Sequence, residues 1–131
     1  MGFIRIPIRL LGRKGEADAQ ALFDTGCTHS LMNESIASRI GLPEDLREPV
    51  KYEAVVGSFT ARKGIFADMV IEGKTYPAEF RVVPALTEDV IVGHEFMQLW
   101  KVVIDMGRHV TTLEPKALKM MPLKGRPARR R

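Results

Sequence analysis

The chain of 131 residues is poor in cysteine, tryptophan and histidine, with one, one and three of each. Its single thiol, Cys27, excludes an internal disulfide and fits a reducing compartment. No apolar run reaches the roughly eighteen residues of a membrane-spanning helix. The opening Met-Gly-Phe-Ile-Arg-Ile also lacks a signal-peptide pattern and the Ser or Thr that myristoylation wants at position 6. A cytoplasmic protein with no membrane contact is therefore expected. No internal repeat is visible, which excludes a solenoid or an array. A chain of this length suits one domain that buries roughly two-thirds of its unfolded surface.

Acidic side chains are missing from the C-terminal end. Residues 116–131 carry Lys116, Lys119, Lys124, Arg126, Arg129, Arg130 and Arg131 with no Asp or Glu. Setting these seven aside from the 20 basic residues leaves thirteen against 16 acidic ones, so the formal charge of +4 belongs to the tail and the body is near −3. With few apolar positions, two prolines and a glycine, residues 116–131 are expected to form a basic flexible tail behind a domain at 1–115.

What is present is a succession of short strand patterns. From Phe3 to Leu10, Ile4, Ile6, Ile8 and Leu10 alternate with Arg5, Pro7 and Arg9, and Pro7 confines this strand to an edge or a bulge. Gly12-Arg13-Lys14-Gly15 turns the chain into a strand over Ala17–Phe23. Asn33 is an N-cap for a short helix with Ile36 and Ile40 on one face and Gly41 as its stop. Val50–Val56 predicts a strand, Gly57-Ser58 a reversal, and Phe59 onward a returning strand broken at Gly64 and resuming to Ile71.

Glu72-Gly73-Lys74 is the next turn, followed by a strand over Tyr76–Val83. The wholly apolar Val90-Ile91-Val92 has the pattern of a strand covered on both faces. His94–Trp100 predicts a short helix burying Phe96, Met97 and Trp100, and Lys101–Asp105 a further strand that Met106-Gly107-Arg108-His109 turns back through Val110 to Leu113. Regular short strands with two short helices describe an all-β domain, a small closed or nearly closed barrel or a sandwich.

The chemistry concentrates in Ala21–Met32. Three apolar residues lead into Asp24-Thr25-Gly26, and Leu31-Met32 resume the apolar pattern, so a carboxylate is carried into the interior. A buried Asp is unfavourable unless it is hydrogen-bonded, paired or used. Asp-Thr-Gly is also good turn chemistry, with Asp capping the backbone and Gly taking positive φ, and the triplet alone does not separate the two readings.

Leu22-Phe23-Asp24-Thr25-Gly26 early, a glycine-containing hairpin around Gly57-Ser58-Phe59, and Val90-Ile91-Val92-Gly93 before a short helix occur in that order. Over residues 3–114 this arrangement resembles the retropepsin-like aspartic proteases, single-domain enzymes of retroviral type with bacterial relatives. The resemblance implies a small closed β-barrel of the acid protease type with one or two short helices and a flap hairpin. It implies an aspartic endopeptidase acting on extended polypeptide substrates at mildly acidic pH, with no cofactor and no metal.

Such chemistry needs two carboxylates about one water apart, one to take a proton from water and one to donate to the peptide carbonyl. The chain has one Asp-Thr-Gly, so the resemblance implies a homodimer that brings together Asp24 of each copy. Thr25 would then lock the two loops and Gly26 would admit the substrate backbone. Cys27, Thr28, Val56, Gly57, Ser58, Phe59, Ile91 and Val92 would contact substrate. Cys27 stands where the family usually has Ala or Ser, and Thr28 and His94 cannot form the acid–arginine pair of retroviral members.

Other readings rest on fewer residues. The fold could serve as a catalytically silent dimerising or peptide-binding module. The basic tail offers a weak contact for nucleic acid or an acidic partner, but the body has no regular aromatic interleaving for specific readout. Cys27 reads as a small core residue before it reads as a redox switch. Cys27 and His29 with His94 are too few and too closely spaced for a structural zinc site, His109 reads as turn, and Trp100 with Phe96 reads as core.

Overall fold

The computed structural model of the chain describes residues 3–105 and 110–113. Its elements are β1 (Phe3–Leu11), β2 (Glu16–Asp24), β3 (Leu31–Asn33), α1 (Glu34–Ile40), β4 (Glu44–Ala54), β5 (Gly57–Ile71), β6 (Lys74–Val83), β7 (Val90–Val92), α2 (His94–Leu99), β8 (Val102–Asp105) and β9 (Val110–Leu113). The main sheet runs β1-β2-β7-β3-β6-β5-β4, and β1 pairs again with β5. Six strands thereby close into a barrel, while β4 hangs on β5 outside the ring as one arm of a hairpin. Strands β8 and β9 form a separate antiparallel pair.

Closure is made by Arg9–Leu11 against Asp68–Val70. Pro7 precedes that contact and faces β2 alone, opposite Gln20, which is the edge placement its missing N–H requires. Alternation decides the two faces of β2 and β7. Ala21, Phe23, Val90 and Val92 point into the barrel core with Ile4, Ile6, Ile8 and Leu10, whereas Leu22 and Ile91 point out toward β4 into a second apolar cluster. Strand β7 runs parallel to β2 with Leu22 opposite Ile91.

Helix α1 begins as expected, with the Asn33 side chain accepting from the Ser35 amide, and ends at Gly41. Three expectations about the hairpin are corrected. Strand β4 starts at Glu44 rather than Val50, because as the outermost strand it tolerates Pro49 within a register shift between Asp45 and Val50. Strand β5 is continuous through Gly64, which pairs with Arg81 and leaves room for the Leu46 side chain and the Phe80 carbonyl rather than breaking the strand. The reversal is Val55-Val56, not Gly57-Ser58, since Ala54 pairs with Gly57.

Neither valine takes positive φ. Gly57 does, at +143°, and absorbs the bend that a β-branched residue resists. The next hairpin behaves as its sequence suggests, with Glu72 and Gly73 at φ 51° and 81°. The predicted turn at 106–109 and the basic tail lie outside the described residues. Among the described residues no helix is long and apolar enough to cross a membrane.

Candidate active site

Asp24 is the last residue of β2 and shares the outward face of Leu22, so the period of the strand delivers its carboxylate beneath the β4–β5 hairpin. The side chain is fully buried. Its Oδ1 accepts from the Gly26 amide at 2.9 Å, and its Oδ2 accepts from the Val55 amide at 2.6 Å. Among the described residues no cation pairs with it. Two backbone donors therefore stabilise a buried negative charge without neutralising it.

The loop that carries Asp24 is held from behind. The Cys27 amide donates to the Asp24 carbonyl at 3.1 Å, and the amides of His94 and Glu95 donate to the carbonyls of Cys27 at 2.6 Å and Thr28 at 2.9 Å. Buried Ser30 accepts from the Gly93 amide through its hydroxyl at 3.0 Å. A side chain at Gly93 would sit 2.8 Å from the Cys27 carbonyl oxygen and closer still to that of His29, so the glycine that ends β7 permits the contact.

Thr25 and Gly26 are exposed beside the buried Asp24. Thr25 lines a shallow surface with His94, Met97, Gln98, Lys101 and Val102. The neighbouring Leu99 and Val103 are 53% and 54% exposed, an apolar pair left uncovered next to this surface in sequence.

The hairpin closes over the loop. Val55, Val56 and Phe59 are half-buried against Cys27, Ile91, Leu22, Leu31, Val83 and Leu86. The expected contacts Val56, Phe59, Ile91 and Cys27 are thus brought together. Val92 is not, because strand alternation turns it into the barrel core. Thr28 and Ser58 are exposed; the Ser58 hydroxyl donates to Glu53 at 2.9 Å. Gly57 follows the tip and carries its bend.

Burial, and then the charge of Asp24, push the Cys27 thiol up to about 11. Its sulfur donates to the His29 carbonyl at 3.2 Å. The His29 ring turns away to the Tyr52 hydroxyl at 2.7 Å, and among the described residues no group of three or more His, Cys, Asp or Glu could hold a metal. Trp100 packs edge-on against Tyr76 at 5.0 Å in the core beneath α2.

Four residues escaped the sequence reading. Val55 meets Asp24 through a backbone amide that no side-chain pattern announces. Ser30 meets Gly93, 63 positions away. Tyr52 and Arg81 complete a chain in which Arg81 Nε donates to the Tyr52 hydroxyl at 3.0 Å and Arg81 also donates to Glu79 at 2.7 Å. The alternation Val50-Tyr52-Ala54 was the available signal for Tyr52.

Residues 12–99 match the sequence model of the family described as "gag-polyprotein putative aspartyl protease". The fold is similar to the retroviral protease-like domain of Ddi1 from Leishmania major, with a TM-score of 0.66 at 22% identity over 87% of this chain and 90% of that one. It is also similar to EIAV protease complexed with the inhibitor HBY-793, with a TM-score of 0.52 at 14% identity over 72% of this chain and 84% of that one. Comparison with curated protein sequences finds no match.

Proposed function

The chain belongs to the gag-polyprotein aspartyl protease family, and from that premise we propose that it is a homodimeric aspartic endopeptidase that cleaves extended polypeptides. The observation that carries this reading is Asp24, a carboxylate buried with no cation beside it among the described residues, on an Asp-Thr-Gly loop whose Thr25 and Gly26 are exposed. A carboxylate needed only for the turn would be as well placed in water.

One Asp24 is half of an acid–base pair. A second copy across a two-fold axis supplies the other half, with Thr25, α2 and the exposed Leu99 and Val103 as the surface available to it. As in aspartic proteases generally, two such carboxylates share one proton. The ionised Asp24 takes a proton from water as its oxygen attacks the peptide carbonyl carbon. The protonated Asp24 gives its proton to the carbonyl oxygen, forming a gem-diol. The carboxyl that took the water proton then gives it to the amide nitrogen while the other takes a proton from a diol hydroxyl. The C–N bond breaks, and the two peptides leave with the dyad restored to one proton. Substrate lies extended between loop and hairpin, adding main-chain hydrogen bonds as a strand would.

The test is peptide cleavage by wild type and Asp24→Asn. Cleavage is expected to fall by about 10³-fold or more, and activity surviving the substitution removes Asp24 from the mechanism. Sedimentation at micromolar concentration is expected to show a dimer, since a lone chain holds half a site. A non-cleaving peptide-binding role is favoured by one observation, the occupation of Asp24 Oδ2 by the hairpin itself. It predicts that a hydroxyl-bearing peptide isostere binds no better than the parent peptide.

A further inference from the structure

We propose that the hairpin tip is a resident occupant of the substrate cleft and that Tyr52 is the positioning residue that holds it there. This regulation of the site rests on the peptidase reading, and it follows from three observations.

The Val55 amide lies directly on Asp24 Oδ2 at 2.6 Å while the Gly26 amide takes Oδ1, and the carboxylate has no accessible surface. A water or a partner carboxylate that approached Oδ2 would meet the Val55 amide already there. The tip also presents two valines, half-buried against Leu22, Leu31 and Ile91. These fill with the chain's own side chains the apolar space that a substrate side chain would enter. Finally, β4 is pinned just before the tip. Tyr52 is buried at 5% exposure, its hydroxyl accepts from Arg81 Nε at 3.0 Å, and it meets His29 Nδ1 at 2.7 Å.

Since Arg81 can only donate, the Tyr52 hydroxyl accepts from it and keeps its own proton for a hydrogen bond to His29 Nδ1, while His29 Nε2 faces the Glu95 carboxylate at 3.7 Å. His29 belongs to the Asp24 loop and Tyr52 to β4, so this bond joins the hairpin to the loop it covers. Tyr52 touches no reacting atom. It sets how far the tip descends, and substrate must displace Val55 and Val56 to bind.

Amide exchange followed by NMR, together with binding of a hydroxyl-bearing peptide isostere, tests this on the full-length chain. In wild type the Val55 amide is expected to exchange at least about ten-fold more slowly than an open-turn amide. Tyr52→Phe is expected to release that protection while the amides of Leu10 and Phe80 stay slow. The same variant is expected to bind the isostere about three- to ten-fold more tightly, because a larger fraction of the protein is already open. A Val55 amide that exchanges freely in wild type overturns the proposal, and so does a folded Tyr52→Phe with unchanged Val55 exchange and isostere affinity.

If Tyr52→Phe does not fold, Arg81→Met removes the donor on the far side of the same hydroxyl and must give the same two changes. The peptidase reading fails separately, by absence of cleavage. Val55 protection and its loss in the variants are read without any turnover.

Discussion

The barrel interior and the space under the hairpin are both apolar, yet they are built for different purposes. Inside the barrel every side chain from Ile4 to Trp100 that joins the cluster is buried, apart from Val102 at its margin. Under the hairpin, Leu22, Cys27, Leu31 and Ile91 are buried, but Leu46, Val50, Ala54, Val55, Val56 and Phe59 are only partly so. All six come from β4, the tip and the start of β5. A region whose contacts are half-solvated opens at lower free energy than one whose contacts are complete. The barrel carries the fold, and the cluster beneath the hairpin is the less complete of the two packings.

That contrast breaks most sharply under truncation. Phe80→Ala in the barrel is expected to lower unfolding stability by about 3–5 kcal/mol, whereas Val56→Ala at the tip lowers it by less than about 1 kcal/mol. Urea denaturation of the two variants checks this, and similar losses would mean that the tip is as integral as the core.

Ser30→Ala tests whether the loop that carries Asp24 belongs with the rigid region. It leaves the buried Gly93 amide without its acceptor, and a loss of about 1–3 kcal/mol is expected from the same denaturation experiment. An effect near zero would place the loop with the half-buried hairpin.

The smallest effect is alkaline. Burial and the nearby Asp24 raise the Cys27 thiol from 9.0 to about 11. A thiol raised in the folded state binds its proton more tightly there than in the unfolded chain. Its contribution is therefore complete below pH 9 and is lost as pH climbs toward 11. The wild type is expected to lose about 1–2 kcal/mol relative to Cys27→Ala between pH 8 and 11. Identical pH profiles for the two would show that the hairpin already admits water to Cys27.

Much of this was legible in residue order where the informative contact is local. Alternation placed Ile4, Ile6, Ile8 and Leu10 on one face, Asn33 and Gly41 bounded α1, and Asp24 followed from three apolar residues leading into a turn. The same alternation, followed one position further, would have separated Ile91 from Val92. Local turn chemistry points to Gly57-Ser58 as the hairpin tip, because glycine is the usual residue of a reversal. In the folded chain Gly57 carries the positive φ just after it, and two valines make the turn.

By itself, then, the sequence determined most of the barrel strands, the bounds of α1 and the burial of Asp24, because each depends on a period or a neighbour a few residues away. Tertiary structure alone decided that the Val55 amide meets Asp24, that Tyr52 joins His29 to Arg81, and that Ser30 meets Gly93. These partners are brought together by barrel closure and the reach of β4. A hydrogen bond between groups dozens of residues apart leaves no periodic trace in either partner.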